Sequence, residues 1–288
     1  MNKTLIFHIG VHKTGTTSIQ RFLNRNSQHL RRHGILYPDS GRPATHPDAH
    51  HQLAWALLGS NGVRDLACWS DVLAEFRASD CPVALLSSEG FCTLRDQQVE
   101  KLAALVGGFD VRVIMYVRDP VSYMISSYKM GINLSNRTES FGEFVRREIH
   151  RCDFRRSHGI WCGHFGAARV ALLEYAAAVG GAGLIPHFLA QLALDPAAFP
   201  AHKDEYANRS SGDQVVQMVR FLNGLQAQPR FAAIRGPAEL VKSGLKYRRL
   251  FASAAAWIFG RFLSTSLYTP EELAELERQA AEFKIQDQ

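Results

Sequence analysis

Glycine, lysine and hydroxyl side chains crowd into "HIGVHKTGTTS", residues His8 to Ser18. A glycine-rich turn that opens a helix aims backbone N–H groups at one centre, and the helix end adds positive potential, so the chemistry such a stretch can do is to hold an anion. The common nucleotide loop reads G-x-x-x-x-G-K-[ST], with its lysine directly after the second glycine. Here Gly10 and Gly15 keep the spacing and Thr17 fills the final hydroxyl position, but Thr16 stands in the lysine slot and Lys13 lies inside the loop. Lys13, Thr14, Gly15, Thr16, Thr17 and Ser18 are therefore candidate anion ligands with the full charge displaced towards the amino end. The plainer alternative is a threonine-rich strand-to-helix turn.

A second candidate is "VRDPVSYMISSYK". Arg118 closes an apolar run, Asp119 is a residue type that caps helices, and Pro120 suits a first helical turn. Ser126 follows Arg118 by eight residues, two helical turns in. An arginine fork suits phosphate oxygens, and a serine hydroxyl can complete the pocket. Taken alone, Arg118 would pair with a local carboxylate and Ser126 would be a surface residue.

These residues need a frame. "TLIFHIG" is a short apolar run ending in glycine, which suits a buried strand. "TTSIQRFLNRNSQHLRRHG" then puts Ile19, Phe22, Leu23 and Leu30 on one helical face, with Gly34 as a cap. Further strands are expected in "GILYP", "CPVALLSSEG", "VRVIMYVRDP" and "ARVALLEYA", the last followed by the helical "GLIPHFLAQLAL". Apolar strands alternating with helices predict an α/β fold: three layers, P-loop-like, a central parallel sheet flanked by helices. Residues 39–51 read as a loop rich in Pro, Gly and His. Beyond about residue 201 the chain reads as a mostly helical C-terminal extension of the same single domain, giving a core over 1–200 and an extension over 201–288. In such sheets ligands sit beyond the carboxyl ends of the strands. Residues 12–17, 87–89 and 118–120 are expected to converge there.

Bulk properties narrow the partners. The 288 residues are 46% hydrophobic and 21% charged, enough for one large core. A net charge of +6 favours an anionic ligand but falls well short of a dedicated nucleic-acid binder. Five scattered cysteines suggest no disulfide framework. No apolar stretch approaches the roughly 20 residues that cross a bilayer, and no leader pattern opens the chain, so a soluble, cytoplasmic protein is expected.

With both motifs in view, the sequence resembles sulfotransferases that use 3′-phosphoadenosine 5′-phosphosulfate (PAPS). "HKTGTTS" is similar to their 5′-phosphosulfate loop, and "RDPVSYMISSY" to their 3′-phosphate motif. The resemblance runs in order from about Thr4 to Leu194. Its closest flavour is the bacterial branch with "HIG..KTGTTS" at the N-terminus, whose members often modify glycans or lipids. It implies PAPS as donor, adenosine 3′,5′-bisphosphate as product, Lys13 on the bridging oxygen and no magnesium. Arg118 and Ser126 would take the 3′-phosphate. Arg209, in "NRSSGD", would belong to a late loop near the 3′-phosphate or adenine, although the family's R-K-G sequence is absent.

The acceptor must lose a proton. The family places a histidine or a glutamate for this, and Glu89 follows the strand "VALLSS" at the corresponding place in strand order. A glutamate at its ordinary pKa is a weak base, so burial or a like charge is expected to raise it. The plainer role for Glu89 is a partner of Lys13 or a helix cap. His51 and His50, in the loop expected to cover the site, compete with it, as does His12. Such histidines are otherwise polar surface residues. The acceptor itself is expected to be a small molecule, glycan or lipid, received by loops within 39–62 and 131–159 and by the C-terminal helices.

Three further clusters are weaker. His150, Cys152, His158, Cys162 and His164 invite zinc, but their intervals do not follow the paired spacing of structural sites. Arg146, Arg147, Arg151, Arg155 and Arg156 could receive an anionic acceptor, or simply form a solvated face. "KYRRLFASAAAWIFGRFL" at 246–263 could rest on a membrane surface or be a buried helix. Two other functions remain open. An ATP-dependent small-molecule kinase would need Thr17 and a strand-end carboxylate such as Asp119 on magnesium. A non-catalytic binder of adenosine 3′,5′-bisphosphate would transfer nothing.

Overall fold

The five apolar runs are the five strands of one parallel sheet: β1 (Thr4–His8), β2 (Ile35–Leu36), β3 (Val83–Ser87), β4 (Asp110–Val117) and β5 (Val170–Glu174), in the order β2-β3-β1-β4-β5. The computed structural model describes residues 3–63, 65–200, 212–227 and 266–284. The described residues fall into two compact units, one within Met1–Asp119 and Asp153–Ala207, the other within Pro120–Cys152 and Asn208–Gln288.

In the first unit β1 is central. His8 pairs in register with Ser87 of β3 on one side and Ile114 of β4 on the other. Strand order reverses at β1, so its carboxyl end is the switch point at which sheets of this kind bind ligands. Side chains alternate across the sheet. Ile6 packs with Ile19, Phe22 and Leu23 of α1 (Thr16–Arg25), Leu30 of α2 (Ser27–Arg32), and Leu184, Ile185 and Phe188 of α10 (Leu184–Gln191). On the opposite face Phe7 meets Phe91 edge-on at 5.5 Å. It also lies against Trp69 of α4 (Ala67–Ala78) and Trp161 of α8 (Phe154–Phe165). Two such faces give the three-layer, P-loop-like α/β fold. The same unit holds α3 (His51–Leu58), α5 (Asp96–Leu105) and α9 (Tyr175–Gly180).

One local expectation is corrected. The helix after the loop is two helices, broken at Asn26, whose side-chain amide donates to the Phe22 carbonyl at 2.8 Å. That bond competes with continuation of the helix. Gly34, at φ +78, makes the turn into β2.

The second unit is helical over α6 (Pro120–Leu134), α7 (Phe141–Glu148), α11 (Asp213–Ala227) and α12 (Pro270–Ala280). Asn223 donates to the Ile132 and Arg137 carbonyls at 3.0 and 2.9 Å, Arg220 donates to the Tyr128 hydroxyl, and Tyr128 donates to the Glu139 carbonyl. These bonds tie α11 to α6 and to the segment that follows it.

Two histidines belong to the core of the first unit. His8 is fully buried, with Nδ1 2.8 Å from the Ser87 hydroxyl. His50 is fully buried, its Nε2 donating to the Pro38 carbonyl at 3.0 Å and its Nδ1 accepting from the Ser87 N–H at 3.2 Å. Burial pulls His8 down to about 4, against a small upward pull from Glu89, and burial together with the charge of Arg42 pulls His50 down to about 3. Both stay neutral in the fold, whereas the unfolded chain protonates them near 6.5. Between those values the unfolded chain binds more protons, so stability is full above about 6.5 and is lost as the pH falls. Urea unfolding at pH 7.5, 6.0 and 5.0 should show a decline on the order of a few kcal/mol. His50→Gln should flatten that slope while lowering stability at pH 7.5.

Candidate active site

The loop starts where β1 stops. The Ile9 and Val11 N–H groups still donate to the Ile114 and Tyr116 carbonyls of β4, at 2.9 and 3.0 Å, so the chain leaves the sheet only after Val11. Thr14 then closes the turn. Its N–H and its hydroxyl both donate to the Val11 carbonyl, at 3.3 and 2.6 Å, and its side chain is fully buried. Thr14 was a candidate anion ligand on its sequence position; its donors are committed to shaping the loop instead.

Lys13 and Gly15 both have φ of +71. Glycine tolerates this, but for lysine the left-handed region costs roughly 1–3 kcal/mol and persists only where the surroundings dictate it. The result is a nest. Among the described residues, the N–H groups of Lys13, Gly15, Thr16 and Thr17 have no hydrogen-bond acceptor, and α1 begins without a side-chain cap or an acidic residue in its first turn. Thr17 and Ser18 are half-buried on that turn, and Thr16 is buried.

Arg118, just past β4, closes the other side. Its Nη1 donates to the Lys13 carbonyl at 3.2 Å, and its guanidinium lies 5.8 Å from the Tyr175 ring centre. The Lys13 ammonium is pulled down by burial and then by the Arg118 charge, with Glu89 pulling the other way. Two cations, a helix end and a row of N–H donors at one point make an arrangement that a bound anion stabilises: its charge offsets the repulsion and its oxygens accept the donors. Of the segments 12–17, 87–89 and 118–120 expected to converge, Lys13, Glu89 and Arg118 interact within this unit, and Pro120 is described with the other unit.

Glycine is required here for space as well as for backbone freedom. A Cβ on Gly10 would stand 2.9 Å from both His8 Nε2 and Thr16 Cγ2, and one on Gly15 would stand 2.2 Å from Leu184 Cδ2. His8 Nε2 has no hydrogen-bond partner among the described residues and lies directly beneath the loop.

Glu89 stands beside the nest at the end of β3. Gln20 Nε2, one helical turn beyond Thr16, donates to Glu89 Oε2 at 2.9 Å, and His51 Nε2 lies 3.9 Å from the same oxygen. Burial pushes the Glu89 carboxyl up, but the net rise expected from the sequence is not found. The charge of His51, the Gln20 amide, its own N–H and His12 together outweigh burial, and the net direction is down. Glu89 is therefore ionised at neutral pH. Burial likewise pulls His51 down, against Glu89, so its ring is mostly neutral there. No ion pair joins Glu89 to Lys13 among the described residues.

The other sequence candidates sort as follows. His50 is not available as a base, because both its ring nitrogens are bonded inside the core. Ser126 is half-buried on α6 and is described with the second unit. Arg209 and residues 246–263 lie outside the described residues. In the basic cluster Arg147 pairs with Glu139 and Glu148, and Arg151 with Glu148 at 3.1 Å. Cys162 Sγ lies 3.4 Å from His158 Nε2, and His164 pairs with Asp96 at 2.9 Å. Among the described residues no three His, Cys, Asp or Glu side chains gather as metal ligands.

Sequence reading missed Gln20, and gave Ser88, within the expected 87–89 segment, no role of its own. Gln20 is a polar residue, 4% exposed, next to Ile19 on the buried side of α1. A buried amide in an apolar stripe needs a partner, and that was the available signal.

Gly10→Ala should lower stability by about 1–3 kcal/mol, the usual penalty of overpacking. Gly163→Ala, in α8 with open space around it, should not. Chemical denaturation of the two variants checks this, and equal stabilities would contradict the crowding beneath the loop.

No protein-family model matches the chain, and no curated protein does either. Among solved structures, the sulfotransferase from Alicyclobacillus acidocaldarius is similar at 15% identity, with 84% of this chain and 97% of that chain covered and a TM-score of 0.44. Similarity at that level assigns neither donor nor acceptor.

Proposed function

We propose that this chain is a sulfotransferase that moves a sulfuryl group from PAPS to a hydroxyl or amine of a small-molecule, glycan or lipid acceptor. The observation that carries the reading is the meeting of Lys13, Arg118 and the open N–H groups of α1 at one point, with the ionised Glu89 beside them. The residues fit such a donor: the nest and Lys13 suit a 5′-phosphosulfate, and Arg118 adds a fork for phosphate oxygens. Ser126 joins Arg118 through the sequence motif, and Arg209 through the resemblance alone. The donor, when bound, supplies an electrophilic sulfuryl group. The chain's own residues hold its anionic end, offset charge on the leaving phosphate through Lys13, and take the acceptor proton at Glu89. Lys13 within the loop provides that charge where a nucleotide kinase would use magnesium.

The described residues include no helix long and apolar enough to cross a membrane. A lipid acceptor would then reach the site from a membrane surface or a micelle.

Thermal shift separates the donors. Adenosine 3′,5′-bisphosphate should stabilise the protein by about 2.7 kcal/mol at a hundredfold excess over its dissociation constant. ATP, with or without magnesium, should do much less. Lys13→Ala should keep the fold but lose the shift and any turnover. A shift produced only by ATP with magnesium would replace this reading with a kinase.

A further inference from the structure

One hydrogen bond and one neighbouring ring meet at Oε2 of Glu89. Ser88 Oγ is fully buried; it accepts from the Gly90 N–H at 3.1 Å and lies 2.8 Å from His51 Nδ1. A serine hydroxyl has one hydrogen to give. Among the described residues the only acceptor in reach for it is the Nδ1 lone pair of His51. If Nδ1 carried the proton instead, the Ser88 hydrogen would be buried without a partner, which costs about 1–3 kcal/mol. His51 therefore carries its proton on Nε2, the nitrogen that faces Glu89 Oε2 at 3.9 Å. The ring is held further by stacking on Trp55, at 5.8 Å and 28°, and by the edge of His46 at 5.4 Å. From the other side Gln20 donates to the same Oε2 at 2.9 Å.

We propose that Gln20, bonded to Oε2 of Glu89 at 2.9 Å, is a positioning residue that orients the carboxylate to take the acceptor's proton, with the His51 ring facing the same oxygen at 3.9 Å. This rests on the reading of Glu89 as the base, and it resolves the competition between Glu89 and His51. His51 has no lone pair to offer, since Ser88 uses Nδ1 and a proton fills Nε2. At 3.9 Å its ring acts on the carboxylate through its nearness and not through a hydrogen bond. Gln20 couples the two ends of the site. It sits on α1, whose first turn forms the nest, so the helix that holds the donor also fixes the base. The proton passes from the acceptor O–H or N–H to the Glu89 carboxylate, and the acceptor's electron pair is released for bond formation.

The test uses the full chain labelled with [δ-13C]glutamate and 15N-histidine, with Glu89→Gln to assign the Glu89 signal. In the unmodified protein the 15N shifts of His51 should report protonation at Nε2, and an Nδ1–H ring would overturn the proposal. In Gln20→Leu the Glu89 carboxyl should titrate at higher pH than in the unmodified protein, because a donor to its ionised form is gone. Gln20→Asn serves if Gln20→Leu does not fold. An unmoved Glu89 titration in a folded variant overturns the proposal. These readouts need no donor, so they stand apart from the sulfotransferase reading. A second arm follows sulfate release from PAPS with water as acceptor. Here Gln20→Leu should lower kcat by about tenfold or more, part of the roughly 10²–10⁴-fold that a positioned base contributes. KM for PAPS should hold, and the acid limb of the pH profile should move upward. If the titration moves and no variant releases sulfate, the positioning stands and the donor assignment fails.

Discussion

Backbone N–H groups with no acceptor among the described residues, set between two cations that repel each other, are the constraint on which the rest of this structure depends. Lys13 is held in a left-handed conformation unusual for its type, Gly15 follows in the same region, and α1 starts with neither cap nor acidic residue. Each feature alone lowers stability slightly, and together they leave a concentrated positive potential at the switch point of the sheet. The fold tolerates this because the loop is fixed on every side. Thr14 closes it on Val11, Arg118 holds the Lys13 carbonyl, and Leu184 and Tyr175 crowd Gly15 from outside.

Beneath the loop, buried histidines and serines extend the strand ends into the site. His8 joins β1 to Ser87, His50 joins Ser87 to Pro38, and Ser88 sets the proton on His51. Such a network costs free energy where a member is left unpartnered, as His8 Nε2 is among the described residues. Beside it, Gln20 bonds Glu89 and the charges of His51 and His12 keep that carboxylate ionised although it is mostly buried. The sequence pointed to burial as the force that would tune this carboxylate. In the structure burial remains the largest single influence, but the His51 charge, the Gln20 amide, the Glu89 N–H and His12 together outweigh it.

The architecture was legible because its signals are local and periodic. Apolar runs ending in Gly or Ser are strands whatever their neighbours, and the spacing from Gly10 to Thr17 identifies a strand–loop–helix unit within one stretch of chain. The break at Asn26 was less so, because it depends on one side chain choosing the Phe22 carbonyl over solvent. Which strand ends meet was legible from the sheet rule, but the individual side-chain contacts between them were not. Gln20 and Glu89 are 69 residues apart, and nothing in either segment names the other. His50 and His51 are adjacent in sequence with the same chemistry. Only the packing sends one ring into the core and leaves the other beside a carboxylate. Thr14 reads as one more loop hydroxyl until its acceptor is seen.

The central claim is that the turn from Lys13 to Ser18 grips the 5′ end of a doubly phosphorylated adenosine. A crystal structure of the chain grown with adenosine 3′,5′-bisphosphate tests it most directly. The account predicts 5′-phosphate oxygens within hydrogen-bonding distance of the Gly15, Thr16 and Thr17 N–H groups and of Lys13 Nζ. A nucleotide bound elsewhere on the chain, with those N–H groups turned to water, would contradict it.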